Sequence, residues 1–96
     1  MQIIKAGIEY RLYNFGSTTD FQEVIFTEKH LGGYNPGTTN EEVVNMLVDR
    51  FYELQKRRFS VENQCIIILL RNVRELMKRR LEKKLEKTEK HGKVIG

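Results

Sequence analysis

The sequence is poor in the residues that hold metals or cross-link a chain, with one cysteine and two histidines. A single cysteine, Cys65, excludes an internal disulfide. Its position beside the apolar run at residues 66–70 predicts a buried thiol in a reducing compartment. The histidines, His30 and His91, are far apart in the chain. The sequence therefore shows no zinc or iron pattern and predicts no metal site.

Long apolar runs are also absent. No run approaches the ~18 apolar residues from which a membrane-spanning helix is predicted. Residues 1–5 lack the basic start and following apolar stretch of a signal peptide. These features predict a cytoplasmic protein, and the length of 96 residues predicts a single domain, 1–96.

Catalytic motifs are missing as well. The adjacent carboxylates Glu41 and Glu42 stand at a predicted helix start, where favourable interaction with the helix dipole explains them. Gly32, Gly33 and Gly37 do not form a phosphate-cradling loop, because no strand leads into the required glycine-lysine pattern. No serine-histidine-acid or cysteine-histidine set is suggested. The sequence thus predicts a protein that is not an enzyme and needs no cofactor.

Charge, in contrast, is abundant and unevenly placed. The net charge is +4. Residues 1–70 hold seven Lys or Arg and nine Asp or Glu, whereas residues 71–96 hold ten and four. The whole basic excess is therefore in the last quarter of the chain, which indicates an anionic partner.

The first third of the sequence has the pattern of β-structure. Residues 2–14 alternate apolar and polar side chains and are predicted to form one strand. Residues 21–29 alternate in the same way after a turn region at 14–20. The two strands predict an antiparallel hairpin within residues 1–30, followed by a loop over 31–40 that contains Pro36.

Two helices are predicted after this loop. Thr39 and Glu42 form a capping-box pattern that begins a helix over residues 40–58, and Ser60 is the expected N-cap of a second helix over 61–91. The fold class is therefore α+β: a small antiparallel sheet followed by a helical hairpin. The first predicted apolar stripe comprises Val43, Met46, Leu47, Phe51 and Leu54, and the second Ile66, Leu69, Leu70, Val73, Leu76, Met77, Leu81 and Leu85.

The second helix is long for so short a chain. About thirty residues span roughly 45 Å, whereas a compact chain of this size has a radius of gyration of about 12–13 Å. Its stripe needs cover along its whole length, and residues 66–70 are apolar on every side of the helix. Both features predict self-association through the long helix.

The same helix carries the candidate binding residues. Most of its cations are explained as residues of a solvated helix surface, where they pair with carboxylates three or four positions away. This explanation fits Arg74, Arg80 and Lys84 less well, because these lie beside the apolar stripe. Cations near an oligomer seam are costly unless an anion neutralises them, which favours a phosphate-bearing ligand shared between chains. The alternative is a nucleic-acid-binding protein that uses this basic helix. The cations are Arg71, Arg74, Lys78, Arg79, Arg80, Lys83, Lys84, Lys87 and Lys90.

Two further residues are candidates at the start of this helix. Asn63 lies in its first turn, next to free backbone N–H groups, and its amide either caps the helix or contacts a polar edge of a ligand. Several aromatic residues could stack on a base, although most such residues belong to cores; Phe59 is the aromatic candidate.

The chain resembles a known family. Residues 37–43, Gly-Thr-Thr-Asn-Glu-Glu-Val, are the most specific segment, and residues 6–16 and 21–23 are similar to the small sheet of the same proteins. The family is that of phage sponge proteins, which comprises Thoeris anti-defence and anti-CBASS proteins, and the sheet is similar to the Thoeris type. The remaining matching residues are Leu47, Val48, Asp49, Arg50, Leu54, Glu62, Asn63, Ile67, Leu70 and Arg80.

The resemblance implies a function. Such proteins bind cyclic nucleotide signals of bacterial immunity, including cyclic ADP-ribose isomers and cyclic oligonucleotides, and hold them without cleavage in the host cytoplasm. They form dimers that assemble into hexamers, with ligand sites between chains. The positions that match the family pocket are Asn63, Arg80 and Lys84. Relatives commonly carry Arg at the last of these positions. Because Lys lacks the two parallel donors of Arg, we expect a weaker contact with phosphate here.

Overall fold

The computed structural model describes residues 1–86 in full and the helical backbone of residues 87–95. A small antiparallel sheet of three strands precedes two helices, so the α+β class is confirmed. The chain divides into two compact units, Met1–Val43 and the residues from Val44 onward. That residues 1–96 act as a single domain stays a prediction.

The first strand predicted from the sequence is two strands. β1 covers Gln2–Lys5 and β2 covers Glu9–Tyr13, and they pair antiparallel. The prediction of one continuous strand over 2–14 was wrong because the chain reverses at Gly7, whose φ is +77°. Glycine adopts this left-handed conformation without a steric penalty. The Ile8 amide donates to the Lys5 carbonyl at 3.0 Å and closes the turn.

The second predicted strand is shorter than expected. β3 covers Phe21–Ile25 and pairs antiparallel with β2, which confirms the predicted pairing across the turn at 14–20. Ser17 holds that turn, since its hydroxyl accepts the backbone amides of Thr19 and Asp20 at 3.1 and 2.8 Å. The predicted loop contains part of a second small hairpin, β4 (Lys29–His30) with β5 (Gly33–Tyr34).

Asn35 and Gly37 fix the segment that leads to the first helix. The Asn35 side chain accepts the Glu28 amide at 2.7 Å and donates to the Phe26 carbonyl at 3.1 Å. The chain after Gly37 then pairs with the end of the sheet, where the Thr38 amide donates to the Ile25 carbonyl at 2.8 Å. These bonds place the start of the helix.

The first helix, α1, covers Asn40–Arg57, close to the predicted 40–58. Its predicted cap is confirmed, because the Thr39 hydroxyl accepts the Glu42 amide at 3.2 Å. Near its end Lys56 donates to Glu53 at 2.9 Å, which lowers the pKa of Glu53 and raises that of Lys56. This pair lies on the exposed surface.

The connection to the second helix is held by a side chain that the sequence pattern did not single out. The Gln55 amide group accepts the Ser60 backbone N–H at 2.9 Å and donates to the Ser60 carbonyl at 3.1 Å. The Ser60 hydroxyl accepts the Asn63 amide at 2.9 Å, which confirms Ser60 as the N-cap. Gln55 and Ser60 together define where the second helix begins.

The second helix, α2, covers Val61–Ile95, four residues beyond the predicted end at 91. It runs antiparallel to α1, because Gln55, late in α1, contacts Gln64, and Asn45, early in α1, contacts Arg74. Among residues 1–86 the buried side chains are Val44, Val48 and Ile67, all of them in the second unit.

The predicted apolar stripes were therefore partly wrong. In α1 the buried positions are Val44 and Val48, whereas the predicted Met46 is 60% exposed. In α2 Ile67 is buried and was not assigned to the stripe, whereas the predicted Leu69 and Leu76 are each 62% exposed. The run of apolar residues fits more than one helical face, so periodicity alone could not select the face that packs on α1.

Cys65 differs from its prediction too. The thiol was expected to be buried because of its apolar neighbours, but Cys65 is exposed. It lies two positions from Ile67, which places the two side chains about 200° apart around the helix. Burial of Ile67 therefore leaves Cys65 on the opposite side.

Candidate anion-binding site on the second helix

The five candidate residues lie at three levels along α2. Phe59 and Asn63 are at its start, Arg74 is near its middle, and Arg80 and Lys84 are further along. Seventeen positions separate Asn63 from Arg80, or about 25 Å at 1.5 Å per residue. One chain therefore does not bring the five side chains together.

The residues at the start of α2 differ in exposure. Phe59 is 68% exposed, in the connection between the helices. Asn63 is half-buried, and its backbone amide already donates to Ser60. Glu62 contributes a negative charge to the same first turn. This end of the helix thus offers an accessible aromatic ring and a less accessible side-chain amide.

Arg74 faces the first helix. Its Nη1 atom lies 3.5 Å from the Asn45 side-chain oxygen, and the residue is half-buried. Ile67, seven positions earlier, lies on the same side of α2. Arg74 therefore has a partner within its own chain, on the face of α2 that is turned toward α1.

Arg80 and Lys84 belong to a local cluster of cations. They line an open depression of about 480 Å³, which we call the cationic depression; its lining residues are Leu76, Arg79, Arg80, Lys83 and Lys84. Arg79 and Lys83 were not among the residues proposed from the sequence, where they counted as solvated surface. The sequence did contain a signal for them: Arg79 and Lys83 are four residues apart, and each directly precedes a member of the pair Arg80 and Lys84, which has the same spacing.

Positive charge predominates among the described residues that line the cationic depression. Four of these five residues are cationic and none is acidic. In the part of the chain that the structure describes, Arg79, Arg80 and Lys83 form no ion pair. Guanidinium and ammonium groups beside one apolar side chain form a donor set that suits phosphate oxygens next to a nonpolar ring.

A second depression lies closer to the start of α2. It encloses about 220 Å³ and is lined by Ile68, Arg71, Asn72, Arg74 and Glu75. Here the Glu75 carboxylate offsets part of the cationic charge. It is therefore the weaker of the two as a site for an anion.

Two other features are absent from the described residues. Residues 1–86 contain no group of three or more histidine, cysteine or acidic side chains placed to hold a metal ion. Over the same described residues, neither helix combines the length and the apolar character that crossing a bilayer requires.

Comparison with protein-family models, with curated proteins and with solved structures found no match to this chain. The proposed function therefore depends on the residues of the chain and on the family resemblance described above.

Proposed function

We propose that this protein is a phage anti-defence protein that binds cyclic nucleotide immune signals and sequesters them without cleavage in the host cytoplasm. The ligands are cyclic ADP-ribose isomers, cyclic oligonucleotides or both. The observation that carries the proposal is the cationic depression, which is lined by four cations and one leucine. A cyclic nucleotide presents matching chemistry, since its phosphates are anionic and its bases are flat and largely apolar.

A site that combines the cationic depression of one copy with Phe59 of another has sufficient chemistry for tight binding. A hydrogen bond to a charged group contributes about 1.5–3 kcal/mol, and a base stacked on an aromatic ring contributes about 1–3 kcal/mol. Four such hydrogen bonds to two phosphates, together with one stacked base, contribute about 7–15 kcal/mol. This range includes the value of about 12 kcal/mol that corresponds to nanomolar affinity, when the site is preformed. Sequestration requires this affinity and slow release, with no chemical step.

The separation of the candidate residues favours a site shared between copies. Asn63 and Phe59 are about 25 Å or more from Arg80 along one helix, which exceeds the reach of a single small ligand. A second copy can supply the missing end of the site. This agrees with the family resemblance, which implies dimers that assemble into hexamers with ligands between chains.

A nucleic-acid-binding function is the second candidate. The observation that favours it is the exposed basic surface of α2, where Arg71, Lys78, Arg79, Arg80 and Lys83 are all exposed. Binding of this kind weakens steeply as salt rises, because each neutralised phosphate releases counterions. A small ligand with two phosphates gives a shallower salt dependence.

Calorimetric titration with cyclic ADP-ribose isomers, cyclic dinucleotides, cyclic trinucleotides and a short DNA duplex separates the two functions. We expect tight binding of at least one cyclic nucleotide, which is recovered intact after the protein is denatured by heat. Recovery of a cleaved product would contradict sequestration. No binding of any cyclic nucleotide, together with salt-sensitive DNA binding, would establish the second function instead.

The Arg80→Ala variant tests the position of the site. We expect at least about a tenfold loss of cyclic nucleotide affinity, since one charge-assisted contact contributes about 1.5–3 kcal/mol. The matched control is Arg57→Ala, which removes the same charge from the end of α1, outside the cationic depression. Equal affinity of the Arg80→Ala variant and the unmodified protein would exclude the depression as the site.

A further inference from the structure

Three carboxylates run along α2 beside the cationic depression. Glu75, Glu82 and Glu86 are all exposed, and they follow one another at intervals of seven and four residues. With 3.6 residues per turn, these intervals keep the three side chains within about 40° of one another around the helix axis. We call these three residues the acidic row. Its ends are about 16 Å apart along the helix.

The two sides of the cationic depression differ in their distance from the acidic row. Arg79 has Glu75 four positions before it and Glu82 three positions after it, and these are the spacings of neighbouring side chains on a helix. The residues at the same spacings from Arg80 are two apolar and two cationic ones: Leu76, Met77, Lys83 and Lys84. The Arg79 side of the depression therefore borders the acidic row, whereas the Arg80 side does not.

The acidic row also divides the basic surface of α2. Around the helix, Arg71 and Lys78 lie on one side of the row, and Arg79 and Arg80 lie on the other side. All four of these cations are exposed. An anion that contacts both sides must therefore pass across three carboxylates.

The charges of α1 in the second unit lie beside an earlier part of α2. The contacts of Gln55 with Gln64 and of Asn45 with Arg74 place this part of α1 next to α2 residues before position 75. The charged residues concerned are Asp49, Arg50, Glu53, Lys56 and Arg57, with Arg58 directly after the helix. Within the second unit, the charge pattern at residues 75–86 is therefore set by α2 itself.

The size of an anion determines whether it meets the acidic row. Arg80 is about 140° from the row around the axis, or roughly 10 Å at the surface of a helix that is 10–12 Å across. The Debye length at physiological salt is about 8 Å, so the row acts weakly on a phosphate bound at Arg80. Duplex DNA carries one charge per ~1.7 Å of its axis, and its backbone extends over both sides of the row.

We propose that the acidic row determines the specificity of the cationic depression. By dividing the basic surface, the row lets the depression accept a compact anion with one or two phosphates and reject the extended backbone of a nucleic acid. Placing like charges against the wrong partner is a general means of specificity. The rejection of nucleic acid follows from the placement of charge, whereas the identity of the accepted anion as a cyclic nucleotide rests on the proposed function.

The triple variant Glu75→Gln/Glu82→Gln/Glu86→Gln tests the acidic row. Glutamine keeps the size and the helix propensity of glutamate and removes its charge. In fluorescence anisotropy at about 0.15 M salt, we expect at least about a tenfold gain in affinity for a DNA duplex of about 20 base pairs, with a steeper loss of affinity as salt rises. Calorimetry with the cyclic nucleotides of the panel should show a change in affinity of less than about threefold, since the row is screened from Arg80.

A matched variant separates the position of the charges from their number. Asp20→Asn/Glu23→Gln/Glu28→Gln removes three carboxylates from exposed residues of the first unit and leaves the acidic row intact. We expect this variant to gain much less DNA affinity than the triple variant. Equal gains would show that only the net charge matters and would overturn the proposal.

Two further results would contradict the proposal. One is an unchanged DNA affinity in the triple variant while its circular dichroism remains native, with no gain in the single variant Glu82→Gln either. The other is a tenfold loss of cyclic nucleotide affinity in the triple variant, which would place the row inside the ligand site instead of beside it.

Failure of the proposed function gives a different result. If the unmodified protein binds no cyclic nucleotide but the triple variant gains more DNA affinity than the matched variant, the rejection of nucleic acid is confirmed and the proposed function is wrong. If the unmodified protein already binds the duplex as tightly as the triple variant, the acidic row excludes nothing and the inference is wrong.

Discussion

Gly37 lies where a side chain has no room. A Cβ atom at this position would be 2.5 Å from the Thr27 amide nitrogen, 2.6 Å from the Phe26 carbonyl carbon and 2.9 Å from the Ile25 carbonyl oxygen. All three atoms belong to the backbone, so they cannot move aside as a flexible side chain does. Gly37 is therefore required by the close approach of two chain segments.

We expect Gly37→Ala to destabilise the protein by about 1–3 kcal/mol, the usual range for overpacking. The control is Gly32→Ala, because a Cβ atom there meets only the His30 ring, at 3.5 Å. Thermal melting followed by circular dichroism compares the two variants. Equal melting temperatures would show that the segment at Gly37 shifts without cost.

Among the described residues, Ile67 is the most completely buried large side chain, at 1% exposure. We expect Ile67→Ala to destabilise the protein by about 2–5 kcal/mol, because it removes apolar contacts and leaves a cavity. Ile3→Ala deletes the same atoms from a side chain that is 58% exposed and serves as the control. Urea denaturation measures both, and a similar loss in the two variants would contradict the position of the core.

At the scale of the elements, the ends of the helices are set by local hydrogen bonds. Thr39 caps α1 and Ser60 caps α2. Both caps could be predicted, because a capping residue acts on a backbone amide a few positions away. The contribution of Gln55 could not be predicted from the sequence, because its contact with Ser60 depends on how the chain turns between the two helices.

Ser60→Ala is expected to destabilise the protein by about 1 kcal/mol, the usual effect of removing an N-cap. Thr18→Ala, in the exposed turn between β2 and β3, is the control. Chemical denaturation gives the difference in the free energy of unfolding. A stability unchanged by Ser60→Ala would show that Gln55 alone is enough to set the start of α2.

The division of the first predicted strand shows what alternation leaves open. The sequence pattern over residues 2–14 predicted one strand, but burial does not alternate in either real strand: β1 is exposed throughout, and the first three residues of β2 are half-buried. The reversal depends on a single residue, Gly7. Glycine within an alternating pattern is compatible with a bulge, a turn or a straight strand, so only the pairing of Ile3 with Tyr10 decides between them.

At the scale of the whole molecule, little of the described chain is buried. Three buried side chains occur among residues 1–86, and none of them lies in residues 1–43. Small sheets require a covered apolar face for stability in water, and small chains commonly obtain the missing burial by association. We therefore expect stability to depend on association between copies.

The dependence of stability on association can be tested without a ligand. Association that stabilises the folded chain makes the melting temperature rise with protein concentration. We expect an increase of several degrees over about a hundredfold range of concentration, detected by scanning calorimetry. The variant Leu69→Glu, which places a charge among the exposed apolar side chains of α2, should remove the dependence of the melting temperature on concentration. A melting temperature independent of concentration in the unmodified protein would indicate a stable monomer.

The sequence by itself determined the fold class, the turn at 14–20, the starts of both helices and the position of the basic excess. Each of these depends on interactions between residues close in the chain, or on composition alone. The tertiary structure decided which side of α2 packs on α1, that Cys65 is exposed, and that Arg74 reaches Asn45. A helix segment that is apolar on every side has no preferred face until a neighbouring helix covers one. In this chain the side that carries the buried Ile67 is also the side from which Arg74 reaches Asn45 of α1.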